Sequence, residues 1–165
     1  MREMDEIGIA LCRMQATLFE ESLEYVKTSS PIFMRRFLNS DVARRMDNTG
    51  FLFEDECNIL VYEEINKEYG ESSYGSTKYN REELHWIGYI YRYWAYIYEV
   101  SSKQVYRVIK PSELKELFVP YCTMDPKEAI DKILESKGVS YALEDITKRA
   151  VVELRRMYKE NKNNS

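Results

Sequence analysis

The stretch EELHWIGYIYRYWAYIYE, residues 82–99, limits this chain more than any other part of it. Set out as a helix at about 100° per residue, it has Trp86, Tyr89, Tyr93 and Tyr96 in one quadrant. Tyr91, Trp94 and Tyr98 lie on another side with Ile87 nearby, and Ile90 and Ile97 fall between. Gly88, Arg92, Ala95 and Glu99 make up the one narrow strip that is small or polar. A helix this apolar is either the centre of a core, or packed on one side and docked to a partner on another. Five of the 14 tyrosines lie on it. A buried tyrosine hydroxyl without a partner costs about 1–3 kcal/mol, whereas Tyr and Trp suit places where one end packs and the other is wet. The stretch therefore reads first as a central core helix, and also as a source of aromatic surface that rims a binding groove.

Helical spacing of apolar residues recurs along the rest of the chain. Ile7, Leu11, Met14, Leu18 and Tyr25 trace one face of a helix over 4–27, with Glu20, Glu21 and Glu24 free to meet water. Ser30-Pro31 opens a short helix over 31–38, and Ser40 caps another that ends at Gly50. A helix over 55–69 stops at Gly70, and GESSYGSTKYN (70–80) is a loop. Asn80, with Glu83 three residues on, forms a capping box for the aromatic helix, which runs to about Tyr98. Ser101 or Ser102 starts a short helix through Ile109, and Pro111 opens one to about Phe118. Asp125-Pro126 opens another, closed by Gly138. Ser140 caps a last helix with Leu143, Ile146, Ala150, Leu154 and Met157 on one side, and KENKNNS frays. The expected fold is all-α, a single compact multi-helix bundle around the aromatic helix, with one domain over 1–160 and a frayed tail at 161–165.

Composition supports that class. With 44% hydrophobic and 32% charged residues the chain is not intrinsically disordered, and 6 Gly with 4 Pro argue against a many-turned β-sandwich. A net charge of −4 argues against non-specific coating of nucleic acid, which needs many cations. No apolar run reaches the roughly 20 residues of a membrane span. The start MREMDEIGIALCRMQ carries Asp5 and Glu6 where a signal peptide needs cations. Cys12, Cys57 and Cys122 are odd in number and far apart, which reads as reduced thiols in the cytoplasm.

Charge is uneven. Glu54, Asp55, Glu56, Glu63, Glu64, Glu68 and Glu71 face Lys67 alone between Phe51 and Gly75, while Arg35, Arg36, Arg44 and Arg45 cluster against Asp41 and Asp47. These are either solvated helix faces or complementary patches that steer a partner. The arginines would also suit phosphates.

Familiar catalytic patterns are missing. His85 is the sole histidine, and no C-x-x-C pair, Gly-rich phosphate loop, nucleophile elbow or dinucleotide fingerprint occurs. No metal or cofactor is expected. Arg81 and His85 resemble the Arg–His pair of HEPN ribonucleases, but at a shorter spacing than that family uses and at a helix start. YEVSSKQVYRVIKPSEL has the look of half a helix-turn-helix, with Ser102, Lys103, Gln104 and Arg107 toward DNA, though the acidic whole opposes this.

The blocks FMRRFLNSDVARRMDNTGFLFE (33–54) and EELHWIGYIYRYWAYIYEVSSKQVYRVIKPSELKELFVPYCTMDPKEAI (82–130) resemble a little-characterised bacterial family of small helical proteins. Members are encoded in toxin–antitoxin-like cassettes beside proteins similar to ADP-ribosyltransferase toxins. The resemblance transfers no catalytic residue. It implies a non-enzymatic antitoxin or accessory protein with a cognate toxin enzyme as its protein partner. Trp86, Tyr89, Tyr93, Trp94 and Tyr96 are the expected packing anchors, with Arg35, Arg36, Glu63 and Glu64 as charge contacts. A HEPN-like ribonuclease using Arg81 and His85, and a DNA-binding autoregulator, are the alternatives.

Overall fold

A computed structural model describes residues 1–48 and 58–163, and every regular element in them is an α-helix. In chain order these are α1 (Glu6–Tyr25), α2 (Ser30–Leu38), α3 (Asp41–Asp47), α4 (Asn58–Tyr69), α5 (Arg81–Tyr98), α6 (Ser102–Val108), α7 (Pro111–Tyr121), α8 (Pro126–Lys137) and α9 (Tyr141–Asn163). Most boundaries follow local capping. The Ser40 hydroxyl accepts from Ala43 N–H, Asn80 and Glu83 complete a capping box, and Ser101 forms another with Gln104. At α2 the cap is Ser29 rather than Ser30, so Pro31 falls one position further in. α5 ends without a glycine: Glu99 adopts φ 52°, a left-handed conformation uncommon for a side chain of this kind. α7 runs a turn past Phe118, with Pro120 in its last turn. α9 continues to Asn163, into the segment expected to fray. The Gly50 stop and Cys57 lie outside the described residues.

The chain divides into two compact units, Met1–Ile130 and Asp131–Ser165. In the first unit α1 and α5 make the most extensive pairing, and α6 and α7 also pack on α5. Leu11, Cys12, Ala16, Phe19, Ile87, Tyr91 and Trp94 have no exposed surface. Phe19, Phe33 and Phe37 form an aromatic cluster with edge contacts at 5.1–5.6 Å from Phe19. The second unit holds the end of α8, where Ile133 and Leu134 are buried, and α9, along which Val152, Leu154, Met157 and Tyr158 are exposed.

Two faces differ from the pattern of bulky apolar residues. On α1 the buried stripe is Gly8, Leu11, Cys12, Gln15, Ala16, Phe19 and Ser22, with Leu18 also buried, while Ile7 and Tyr25 are exposed. On α5 the strip of Gly88, Arg92 and Ala95 is buried. The physical reason is close approach. A Cβ on Gly88 would lie 2.9 Å from the Gln15 carbonyl oxygen and 3.1 Å from Ala16 Cα. The small residues of α5 therefore let two backbones meet, and that contact sets how both helices are turned.

Candidate functional site

α5 carries the expected anchors on two unlike faces. Trp94 is fully buried, and Tyr96 is 7% exposed with its hydroxyl donated to Asp5 Oδ1 at 2.7 Å. Neither is available to a partner. Trp86, Tyr89 and Tyr93, spaced i, i+3 and i+7, are half-buried. The Tyr89 and Tyr93 rings stack at 6.1 Å, and Trp86 meets Phe118 of α7 edge-on at 5.9 Å. Val119, next to Phe118, is 82% exposed. The tyrosines closest to the core answer the cost of burying a hydroxyl: Tyr91 donates to the Ile109 carbonyl and Tyr62 to the Leu18 carbonyl, each at 2.6 Å. Burial pushes both phenols up from their ordinary titration range.

The charge patches largely answer each other within the fold. Arg45 pairs with Glu64, and Glu68 Oε2 accepts from the Asp41 N–H at 3.1 Å, so α4 lies across α3. Arg44 pairs with Asp41 at 2.7 Å. Arg36 Nη1 donates to the Gly70 carbonyl at 2.8 Å, and its guanidinium lies 5.6 Å from the Tyr69 ring centroid. Arg35 and Glu63 are exposed. Glu54, Asp55 and Glu56 lie outside the described residues.

Arg81 and His85 sit one turn apart on α5 beside α1. Arg81 bonds Glu24 at 2.5 Å and approaches Glu20 at 3.6 Å; His85 Nδ1 lies 3.0 Å from the other Glu20 oxygen. The Glu24 hydrogen bond, more than any other interaction, raises the Arg81 pKa. In the segment that resembles half a helix-turn-helix, Ser102 is 1% exposed, with its hydroxyl donated to Asp47 Oδ1 at 2.6 Å, so it faces inward; Lys103 and Arg107 are exposed.

One group of residues was not singled out by the sequence. Arg92 is 1% exposed. Its Nε donates to Gln15 Oε1 at 2.9 Å, Nη1 to Asp47 Oδ1 at 2.6 Å and Nη2 to Ser102 Oγ at 2.9 Å. Gln15 Nε2 in turn donates to the Gly88 carbonyl at 3.1 Å. Four helices meet here, and each guanidinium nitrogen already has an acceptor, so the group clamps α1, α3, α5 and α6 together. The signal was a lone Arg between Gly88 and Ala95, and a Gln on the inner face of α1. Among the described residues no group of three or more His, Cys, Asp or Glu is placed to hold a metal ion, and no helix is long and apolar enough to cross a membrane. No protein-family model, curated protein or solved structure matches the chain.

Proposed function

We propose that this chain is an interaction protein, the antitoxin or accessory component of a bacterial toxin–antitoxin system, that docks on a cognate toxin enzyme in the cytoplasm and neutralises it. The observation that carries the reading is the half-buried row of Trp86, Tyr89 and Tyr93, flanked by Phe118 and the exposed Val119. Rigid, amphipathic rings with one edge wet are what interface hot spots are made of. Of the four expected charge contacts, Arg35 and Glu63 are left exposed to steer a partner, since Arg36 and Glu64 have contacts within the fold. The test is co-expression with the toxin encoded beside it. The wild-type chain should co-purify with the toxin and restore growth. Trp86→Ala with Tyr93→Ala should lose both while the far-UV circular dichroism spectrum stays helical. A chain that neither binds nor relieves its neighbour is not an antitoxin.

A HEPN-like ribonuclease is the second reading, favoured by Arg81, His85 and Glu20 sharing one exposed patch. His85→Ala separates the two readings, because toxicity or RNA cleavage that disappears with a folded variant supports the enzyme. An effect confined to partner binding supports docking.

A further inference from the structure

A cavity of about 300 Å³ lies between the C-terminal end of α1, α2, α4 and the start of the 70–80 loop. That is at the lower end of the size range of small-molecule sites, which are typically apolar with a few placed polar groups. One wall is aromatic. Tyr25 and Tyr62 stack at 5.6 Å and 24°, and Phe33 meets Tyr62 edge-on at 5.8 Å. Thr28 also lines the cavity; it is 2% exposed, and its Oγ1 has no hydrogen-bond partner in the protein. A buried hydroxyl left that way is costly, and a bound polar group relieves the cost.

The surroundings are held in place. Lys78 Nζ donates to the carbonyls of Val26 and Thr28 at 2.7 and 2.6 Å, and Ser29 and Ser30 N–H groups bond the Tyr74 and Thr77 carbonyls. Gly75, at φ 80°, lets the loop come this close: a Cβ there would lie 2.8 Å from the Ser29 side chain. Charge at the cavity is biased. Lys27 and Arg36 line it without an ion-pair partner among the described residues, against one lining carboxylate, Glu71.

We propose that this cavity binds a small aromatic carboxylate with one polar ring substituent. The ring lies against the aromatic wall, the carboxylate is held by Arg36 with support from Lys27, and the substituent pairs with the Thr28 hydroxyl. Aromatic packing favours a planar ligand, and the Nε and Nη2 groups of Arg36, left over from the Nη1 bond to the Gly70 carbonyl, favour a carboxylate over an uncharged group.

The site is independent of the docking surface, and its test needs no partner protein. Benzoate, indole-3-carboxylate and 6-hydroxy-2-naphthoate are titrated into the isotope-labelled full chain, with uncharged 2-naphthol as comparator, and followed by chemical-shift changes. At least one acid should perturb Tyr25, Thr28 and Tyr62 and bind more tightly than 2-naphthol. Arg36→Gln and Lys27→Gln should each weaken the acid, the former by about tenfold, and leave 2-naphthol unchanged; Thr28→Val should weaken the substituted naphthoate more than benzoate. Lys27→Gln guards against a folding defect, because Lys27 is exposed. The proposal is overturned if no acid perturbs those residues, if 2-naphthol binds as tightly as the acids, or if both charge variants retain wild-type affinity.

Discussion

Cys12 has no exposed surface, and burial pushes its thiol up to about 12, against the opposing pull of the Arg92 charge. At neutral pH it carries almost no thiolate, which is the reactive form. Iodoacetamide added to the native protein should therefore label the partly exposed Cys122 and spare Cys12, and urea should release Cys12 to react. Peptide mass spectrometry reads this directly; equal labelling of both in the native state would contradict the packing around Cys12. Asp5 behaves in the opposite sense. The Gly8 N–H, donated at 2.8 Å, and the Tyr96 hydroxyl hold its carboxyl below the usual carboxylate range. Its contribution to stability is present above the ordinary value of about 4 and is lost as pH falls through the lower folded-state value. Melting temperature measured against pH should fall less steeply on the acid side for Asp5→Asn than for the wild type. Parallel acid limbs would show that this cap carries no such linkage.

At the scale of helices, the α1–α5 contact governs the fold. Gly88→Ala should raise intrinsic helix propensity by about 1 kcal/mol, yet its Cβ would meet backbone atoms of Gln15 and Ala16. Overpacking of that kind costs about 1–3 kcal/mol, so a net loss in urea-denaturation stability is expected, and a gain would mean the helices are further apart. The Arg92 clamp gives a second comparison. Asp47→Ala leaves a buried guanidinium without its carboxylate and should cost about 3–5 kcal/mol, while Arg44→Ala, in an exposed pair, should cost at most about 1 kcal/mol. Similar midpoints for the two variants would contradict the clamp. These contacts also explain what the sequence could and could not disclose. Caps at Ser40, Asn80 and Ser101 act within a turn, so the starts of α3, α5 and α6 were readable from the residues alone. The inward face of α1 was not, because Gln15 and Ala16 face inward only in answer to Gly88 and Arg92, and Gly8 in answer to Tyr96, of a helix distant in the chain. The pairing of Arg45 with Glu64 is likewise tertiary, and residues that read as surface patches turn out to face each other.

For the molecule as a whole, the aromatic excess divides into two roles. Tyr91, Trp94 and Tyr62 build the core, with the Tyr91 and Tyr62 hydroxyls paid off by carbonyls, whereas Trp86, Tyr89 and Tyr93 keep a wet edge. That difference in burial was invisible to the helical wheel, which puts Trp86, Tyr89, Tyr93 and Tyr96 in one quadrant; only Tyr96 is covered, through Gly8 and Asp5. The account rests on the wet edge as a contact surface. Isothermal titration of the full chain with the proposed cognate toxin tests this most directly, comparing wild type with the Trp86→Ala, Tyr89→Ala, Tyr93→Ala triple variant. Loss of a hot spot worth about 2 kcal/mol or more predicts a Kd weakened by at least about thirtyfold, with helical content retained; a triple variant that binds as tightly as the wild type would contradict it.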